Sequence, residues 1–436
     1  MIIFGTIFCF SSTIIGGIGY VVNSFYHSNA ILWTTYSVAY ILEVVGLCSF
    51  KANVIQYTID QLVGASAELL NTFIYWNSAA VPIVATFFEM CRCLIDIQYY
   101  VPISSFIAII AVSTVLVSYS CFKHKLENIS LLKNPIKLIV RVLCYAWKHK
   151  YPENRSALTY WEEEAPSRLD LGKDKYGGPF TEEEVEDVKT FFRMLPLLIA
   201  TVSYAVSDEV YHWIMLGWFG AVKLSFLDCA IASDFFNFAT STVSFIFWLL
   251  IIKYCFQNCI PSILKRLSAG QVVNFIALLS KLILLTINPL DSTNTNNAPY
   301  TNNFLILSQF LDGLKFILII PASLEFTVAQ SPVHMRGVMV GLWLASMGCG
   351  YLFNINLKYP FGCDNEYMCT SYQYYLIKCI LVLIFLIVFL VLAKFYKYRV
   401  RENEVNVHLI VDDHYQRYME QEEEYSKRER NSYEDN

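Results

Sequence analysis

The stretch "ILWTTYSVAYILEVVGLCSFKANVIQYTIDQL", Ile31 to Leu62, decides what kind of protein this is. From Ile31 to Cys48 its only charge is Glu43. A helix needs about 20 mostly apolar residues to cross the hydrocarbon core of a bilayer, and this run is long enough. Lys51 then stands just inside its end. A lysine there is costly in lipid, so it either snorkels to the interface or faces a polar cavity.

The rest of the chain repeats the pattern. The 436 residues are 56% hydrophobic and 16% charged, against about 45–50% and about 25% in soluble domains. Ten segments read as spanning helices: about 1–22, 30–54, 70–90, 99–122, 192–220, 228–256, 267–287, 302–331, 335–356 and 373–397. The first lacks a basic start and a small-residue cleavage site, so it reads as a helix rather than a signal peptide. Positive residues mark the cytoplasmic side. They cluster at Lys123 to Arg141, at Lys265 and Arg266, and at Lys394 to Arg401, which puts both termini inside.

The expected fold class is therefore all-α integral membrane, with two bundles of four and six helices. Residues 1–122 form the first bundle and 123–191 a cytoplasmic linker. Residues 192–398 form the second bundle, and 399–436 a charged, disordered tail. In the linker, "TEEEVEDVKTFF" predicts a helix start, with Thr181 and Glu184 as a capping box, followed by an apolar face that suits an amphipathic helix on the membrane surface. Nothing resembles a phosphate-binding glycine loop, a zinc cluster or a nucleic-acid stripe. No cofactor, enzyme activity or nucleic-acid partner is expected. Most of the 13 cysteines lie in apolar runs; Cys363 and Cys369 share a polar loop and are a candidate disulfide if that loop faces an oxidising space.

The ionisable residues inside the spans carry the functional reading, because such residues are costly in lipid and usually face a partner or a cavity. Each also has a plainer reading. Asp312 and Lys315, three apart on one helix, are placed to pair with each other. Lys281 suits an acid on a neighbouring helix. Asp208 and Glu209 suit a helix end, and Lys378 suits snorkelling. Glu325, in "LIIPASLEFTVAQSP", has no base within a turn and too short a reach to snorkel, so a cavity role is expected.

Four stretches carry a family resemblance. "FKANVIQYTIDQL", "LLNTFIYW", "EDVKTFFRMLPLL" and "LEFTVAQSPVHMRGVMVGLWLASMG" resemble, in order, motifs of helices four, five, seven, and ten to eleven of the proton-coupled oligopeptide transporters of the major facilitator superfamily. That family has twelve helices in two six-helix bundles. The ten spans resemble helices three to twelve, and the family's Glu-x-x-Glu-Arg motif of helix one has no counterpart in residues 1–22. The resemblance implies substrate contacts at Lys51, near a peptide carboxylate, and at Glu325, near its amino group. It also implies contacts at Asn237 on helix eight and Trp343 on helix eleven. Two departures are Ala329, where a serine is usual, and Gly350, where an asparagine is usual.

The expectation is proton-coupled symport of di- and tripeptides or related small zwitterions by alternating access. The partners are peptide, protons and the bilayer. The alternative is a non-transporting, truncated or regulatory member. The plasma membrane is one expected residence. The acidic dileucine-like "ENISLL", Glu127 to Leu132, points instead to endosomal or lysosomal membranes.

Overall fold

The computed structural model describes residues 2–26, 29–62, 67–95, 97–122, 134–149, 167–208, 221–223, 230–232, 234–248, 260–287, 298–332, 335–362, 371–396 and 398. The compact unit is Met1–Phe395. Cys363, Cys369 and the tail from 399 onward lie outside the described residues.

Two helices open the chain, α1 (Ile2–Tyr26) and α2 (Asn29–Gln61), and they pack closely along their lengths. Small residues permit this: a Cβ on Gly5 would lie 2.7 Å from the Gly46 carbonyl oxygen, so no larger side chain fits. In lipid, helix association rests on such close approach and on interhelical hydrogen bonds; Ser12 Oγ donates to the Ala39 carbonyl at 2.8 Å. Next come α3 (Ala67–Leu94), which carries Pro82 internally, and α4 (Ile97–Phe122). α4 packs on α1, whereas α3 makes its main contacts with the second half of the chain.

The linker holds α5 (Pro135–Lys148), two 3-10 turns between Asp170 and Tyr176, and α6 (Glu182–Met194). The expected capping box is present: Thr181 Oγ1 accepts from the Glu184 amide at 3.3 Å, and Glu184 Oε2 accepts from the Thr181 amide at 3.2 Å. α6 does not lie free on a surface. Val185, Val188 and Met194 are buried, and the helix runs through a 3-10 segment, Leu195–Leu198, into α7 (Ile199–Ser207). The span expected at 192–220 thus begins earlier, at Glu182, and Asp208 caps the end of α7. Pro196 explains the join, since its ring and missing N–H disfavour a continuous α-helix.

Ahead of α6 the linker is tied by ion pairs. Lys173 Nζ sits 3.0 Å from Asp170, 3.0 Å from Glu182 and 2.8 Å from Glu186. Burial by itself would raise the Asp170 carboxyl. Hydrogen bonds from Lys189, Ser167 and Lys173 outweigh that and hold it well below the usual carboxylate range. Lys173 is pushed above its ordinary value for the complementary reason: its carboxylate partners, Glu186 foremost, outweigh its burial.

After two short antiparallel strands, β1 (Ala221–Lys223) and β2 (Ala230–Ala232), the described residues hold five more helices. They are α8 (Asp234–Phe247), α9 (Ile263–Ile287), α10 (Ala298–Gln330), α11 (Arg336–Lys358) and α12 (Tyr372–Phe395). α9 packs on α10 and α12, α7 on α11 and α12, and α8 on α10. All ten expected spans hold helix. Seven described segments are long and apolar enough to cross a membrane by length and composition: α1, α2, α4, α6–α7, α9, α11 and α12. α3, α8 and α10 fall outside that set and form most of the contact between the halves, to which α2 on α11 adds: α3 packs on α8 and α10 around Tyr75, Ala79, Phe245 and Ile317. Helices that meet partners on several sides have less need of a continuous apolar surface, and α10 carries the buried Asp312, Lys315 and Glu325.

Candidate substrate site between the bundles

At the contact of α3 with α9 and α10, three buried polar side chains meet: Tyr75, Arg266 and Glu325. Arg266 Nη2 lies 3.0 Å from each carboxylate oxygen of Glu325. Arg266 Nη1 donates to the Tyr75 hydroxyl, and that hydroxyl donates to Glu325 Oε2 at 3.4 Å. Trp248, just past α8, stacks on Tyr75 with ring centroids 5.8 Å apart, and the Arg266 guanidinium sits 5.6 Å from the Trp248 ring. A small pocket opens beside them, lined by Tyr75, Trp248, Arg266, Ile317, Leu318 and Ala322. Arg266 Nε, buried beside it, has no hydrogen-bond partner among the described residues.

The base that holds Glu325 comes from a neighbouring helix, not from α10 itself. The charge pattern assigns Arg266 to a cytoplasmic loop. The structure corrects this: α9 begins at Ile263, which turns Arg266 inward while Lys265 stays exposed. The three groups lie near the start of α9, near the end of α10 and in the first third of α3, so one contact ties the first bundle to the second.

The other expected site residues are placed as follows. Trp343, on α11, is buried, and its Nε1 donates to Ser323 Oγ on α10 at 2.8 Å, two residues before Glu325. Lys51 is exposed on α2, with no hydrogen bond or ion pair among the described residues. The structure does not join it to Glu325. Asn237 lies on α8, but its side chain is outside the described residues. Ala329 is exposed near the end of α10. Gly350 is packed so tightly on α7 that a Cβ would lie 2.7 Å from Ala205 Cβ and 2.7 Å from the Val202 carbonyl oxygen. An asparagine does not fit there.

A second polar cluster fills the interior of the C-terminal helices. Asp312 Oδ1 is 2.7 Å from Lys315 Nζ and Asp312 Oδ2 is 2.9 Å from Lys281 Nζ, all three buried. Both expected pairings therefore form. Lys315 also donates to Ser207 Oγ at 3.2 Å, and its ammonium sits 5.3 Å from the Tyr204 ring. Tyr351 donates to Asp208 Oδ2 at 3.1 Å. Lys378 is fully buried and donates to the Tyr374 hydroxyl at 3.1 Å, which in turn donates to Asn354 Oδ1 at 3.0 Å. The snorkelling expectation for Lys378 is corrected, because the side chain ends inside the bundle. Such networks are stable in lipid only when their members satisfy each other.

These features are those of an integral, multi-pass membrane protein built from two bundles of helices. The solved structures it resembles include several POT family transporters. PepTSo, a POT family transporter, superposes with a TM-score of 0.61 at 13% identity, covering 88% of this chain and 83% of that one. An auto-inhibited POT family peptide transporter gives 0.61 at 13% identity, covering 91% and 84%. A POT family transporter in complex with a thioalcohol-conjugated peptide gives 0.52 at 14% identity, covering 90% and 81%. Among curated proteins, the chain is similar to Protein NRT1/ PTR FAMILY 6.3 of Arabidopsis thaliana. The two are 22% identical over 243 residues, or 50% of this chain and 40% of that protein. The chain thus spans less than half the length of that curated relative in the match. No family model matches.

Proposed function

We propose that the chain is a member of the proton-coupled oligopeptide transporters and moves small peptides or related zwitterions across a plasma or endosomal/lysosomal membrane by alternating access. The observation that carries this is the Tyr75–Arg266–Glu325 contact, a buried charged latch between two bundles whose fold is that of POT transporters. Rocking of two bundles around a site at their interface is the usual way such a fold transports.

In this reading the Arg266 guanidinium holds Glu325 in the place that a peptide ammonium takes when substrate arrives. Lys51, without a partner among the described residues, receives the peptide carboxylate. Trp343, fixed by Ser323, forms part of the wall, and Asn237 contributes from α8. Proton coupling follows if Glu325 exchanges the guanidinium for a proton during the cycle. Recognition by the two end charges leaves side-chain selectivity loose.

The test is ligand-dependent thermal stabilisation of the purified protein by dialanine and trialanine. Stabilisation that vanishes in Lys51→Ala and weakens in Glu325→Gln is expected. A shift unchanged in both variants removes these residues from the site, and no shift with any small peptide counts against the substrate class.

A further inference from the structure

The transport reading leaves one surface unused, the outer row of α5. Asn134 caps this helix by accepting from the Ile136 and Lys137 amides, and Pro135 occupies its first turn. Leu138, Ile139, Val142 and Ala146 are buried, and the helix packs on the Asp170–Gly172 turn and on α6. A helix satisfied by one buried face is expected to be polar elsewhere. This one is not. Ile136, Val140, Leu143 and Trp147 follow the i, i+4, i+7, i+11 spacing of one face, and all are exposed, Ile136 by 59% and Trp147 by 84%.

The remaining face is basic. At 100° per residue, Lys137, Arg141 and Lys148 fall within a strip about 40° wide, immediately beside the apolar row. All three are exposed, and the helix sequence "PIKLIVRVLCYAWK" contains no acid. An exposed apolar row with an aromatic residue, edged by Lys and Arg and free of acids, is the pattern of a helix lying in the headgroup region. The chain supplies the surface, because α5 lies between the spanning α4 and the spanning α6–α7.

We infer that α5 is an interfacial anchor whose outer row lies in the bilayer and whose basic strip binds anionic phospholipid headgroups. It pins the linker between the two bundles to the leaflet on its own side. Each basic residue near an anionic surface contributes roughly fivefold in partition, so the strip favours an anionic over a zwitterionic surface by on the order of a hundredfold.

The test places a photo-crosslinker on the row, Trp147→benzoylphenylalanine, in the full-length protein. The protein is reconstituted into nanodiscs of phosphatidylcholine alone or with about 30% phosphatidylserine, a composition that gives an anionic surface. Mass spectrometry identifies what is captured. Lipid adducts are expected in both, with a yield at least about threefold higher in the anionic discs. That difference should disappear in Lys137→Gln/Arg141→Gln/Lys148→Gln, a variant milder than charge reversal whose elution profile checks folding. Equal yields in the two lipids, or a difference that survives in the triple variant, overturn the headgroup assignment. Adducts only to protein overturn the bilayer as the occupant.

Discussion

Replacing Arg266 by glutamine leaves Glu325 in a site where the pair is less than a tenth exposed. The carboxylate keeps one hydrogen bond, from the Tyr75 hydroxyl at 3.4 Å, and loses the guanidinium at 3.0 Å from both its oxygens. Removing one member of a buried pair costs about 3–5 kcal/mol, most of it from stranding the other charge. The hydrogen bond from Arg266 to Tyr75 is lost as well, about another 1 kcal/mol. Glu325→Gln strands the guanidinium instead and should cost a similar amount. The double variant Arg266→Gln/Glu325→Gln strands neither charge, keeps amide hydrogen bonding within reach, and should recover most of the loss. At roughly 2 °C per kcal/mol for a chain of this size, each single variant should lower the unfolding midpoint by about 8–12 °C. The double variant should lie within about 4 °C of wild type. The assay is the thermal midpoint of protein in one fixed detergent, for all four proteins of the cycle. A double variant as unstable as the sum of the singles would refute the idea that the two charges are mutually compensated.

Further outcomes follow from other parts of the molecule. Asp312→Ala leaves the Lys281 and Lys315 ammoniums buried without the carboxylate they share, and should abolish recovery of folded protein. Asp312→Ala/Lys315→Met should restore part of it, read by size-exclusion profile. Gly350→Asn forces a side chain against Ala205 and the Val202 carbonyl and should destabilise by about 1–3 kcal/mol or more, read as a lowered midpoint. Ser323→Ala leaves the buried Trp343 Nε1 without its acceptor and should cost about 1–3 kcal/mol, checked by the same midpoint. The linker should weaken in acid. The Asp170 carboxyl is held below its unfolded value, so its contribution is complete above about pH 4 and declines as pH falls through the lower folded value. The midpoint difference between wild type and Asp170→Asn should therefore shrink below about pH 4, and a difference constant from pH 7 to pH 3 would contradict the assignment.

Much of the architecture is legible in local sequence. Apolar runs of bilayer length, the Thr181–Glu184 box and the three-residue spacing of Asp312 and Lys315 are short-range signals, and each corresponds to an observed element or contact. The candidate site is less legible because its partners come from different helices. Arg266 looks like one more positive residue at a membrane face, and only the start of α9 at Ile263 turns it onto Glu325. Lys378 reads as a snorkelling lysine because its acceptor, the Tyr374 hydroxyl, is ordinary in an apolar helix. The linker's ion pairs are equally hidden, since Asp170 and Lys173 become partners of Glu186 and Lys189 only after the 3-10 turns fold back on α6. A glycine at position 350 reads as a missing asparagine, whereas the packing of α7 on α11 requires a residue without a side chain.

The central claim is transport, and its most direct measurement is uptake of a radiolabelled dipeptide into proteoliposomes containing the purified chain, driven by an acid-outside pH gradient. The account predicts accumulation that stops with a protonophore, is competed by unlabelled di- and tripeptides, and is lost in Lys51→Ala. Uptake no greater than in protein-free liposomes, with protein that is folded and correctly inserted, would contradict it.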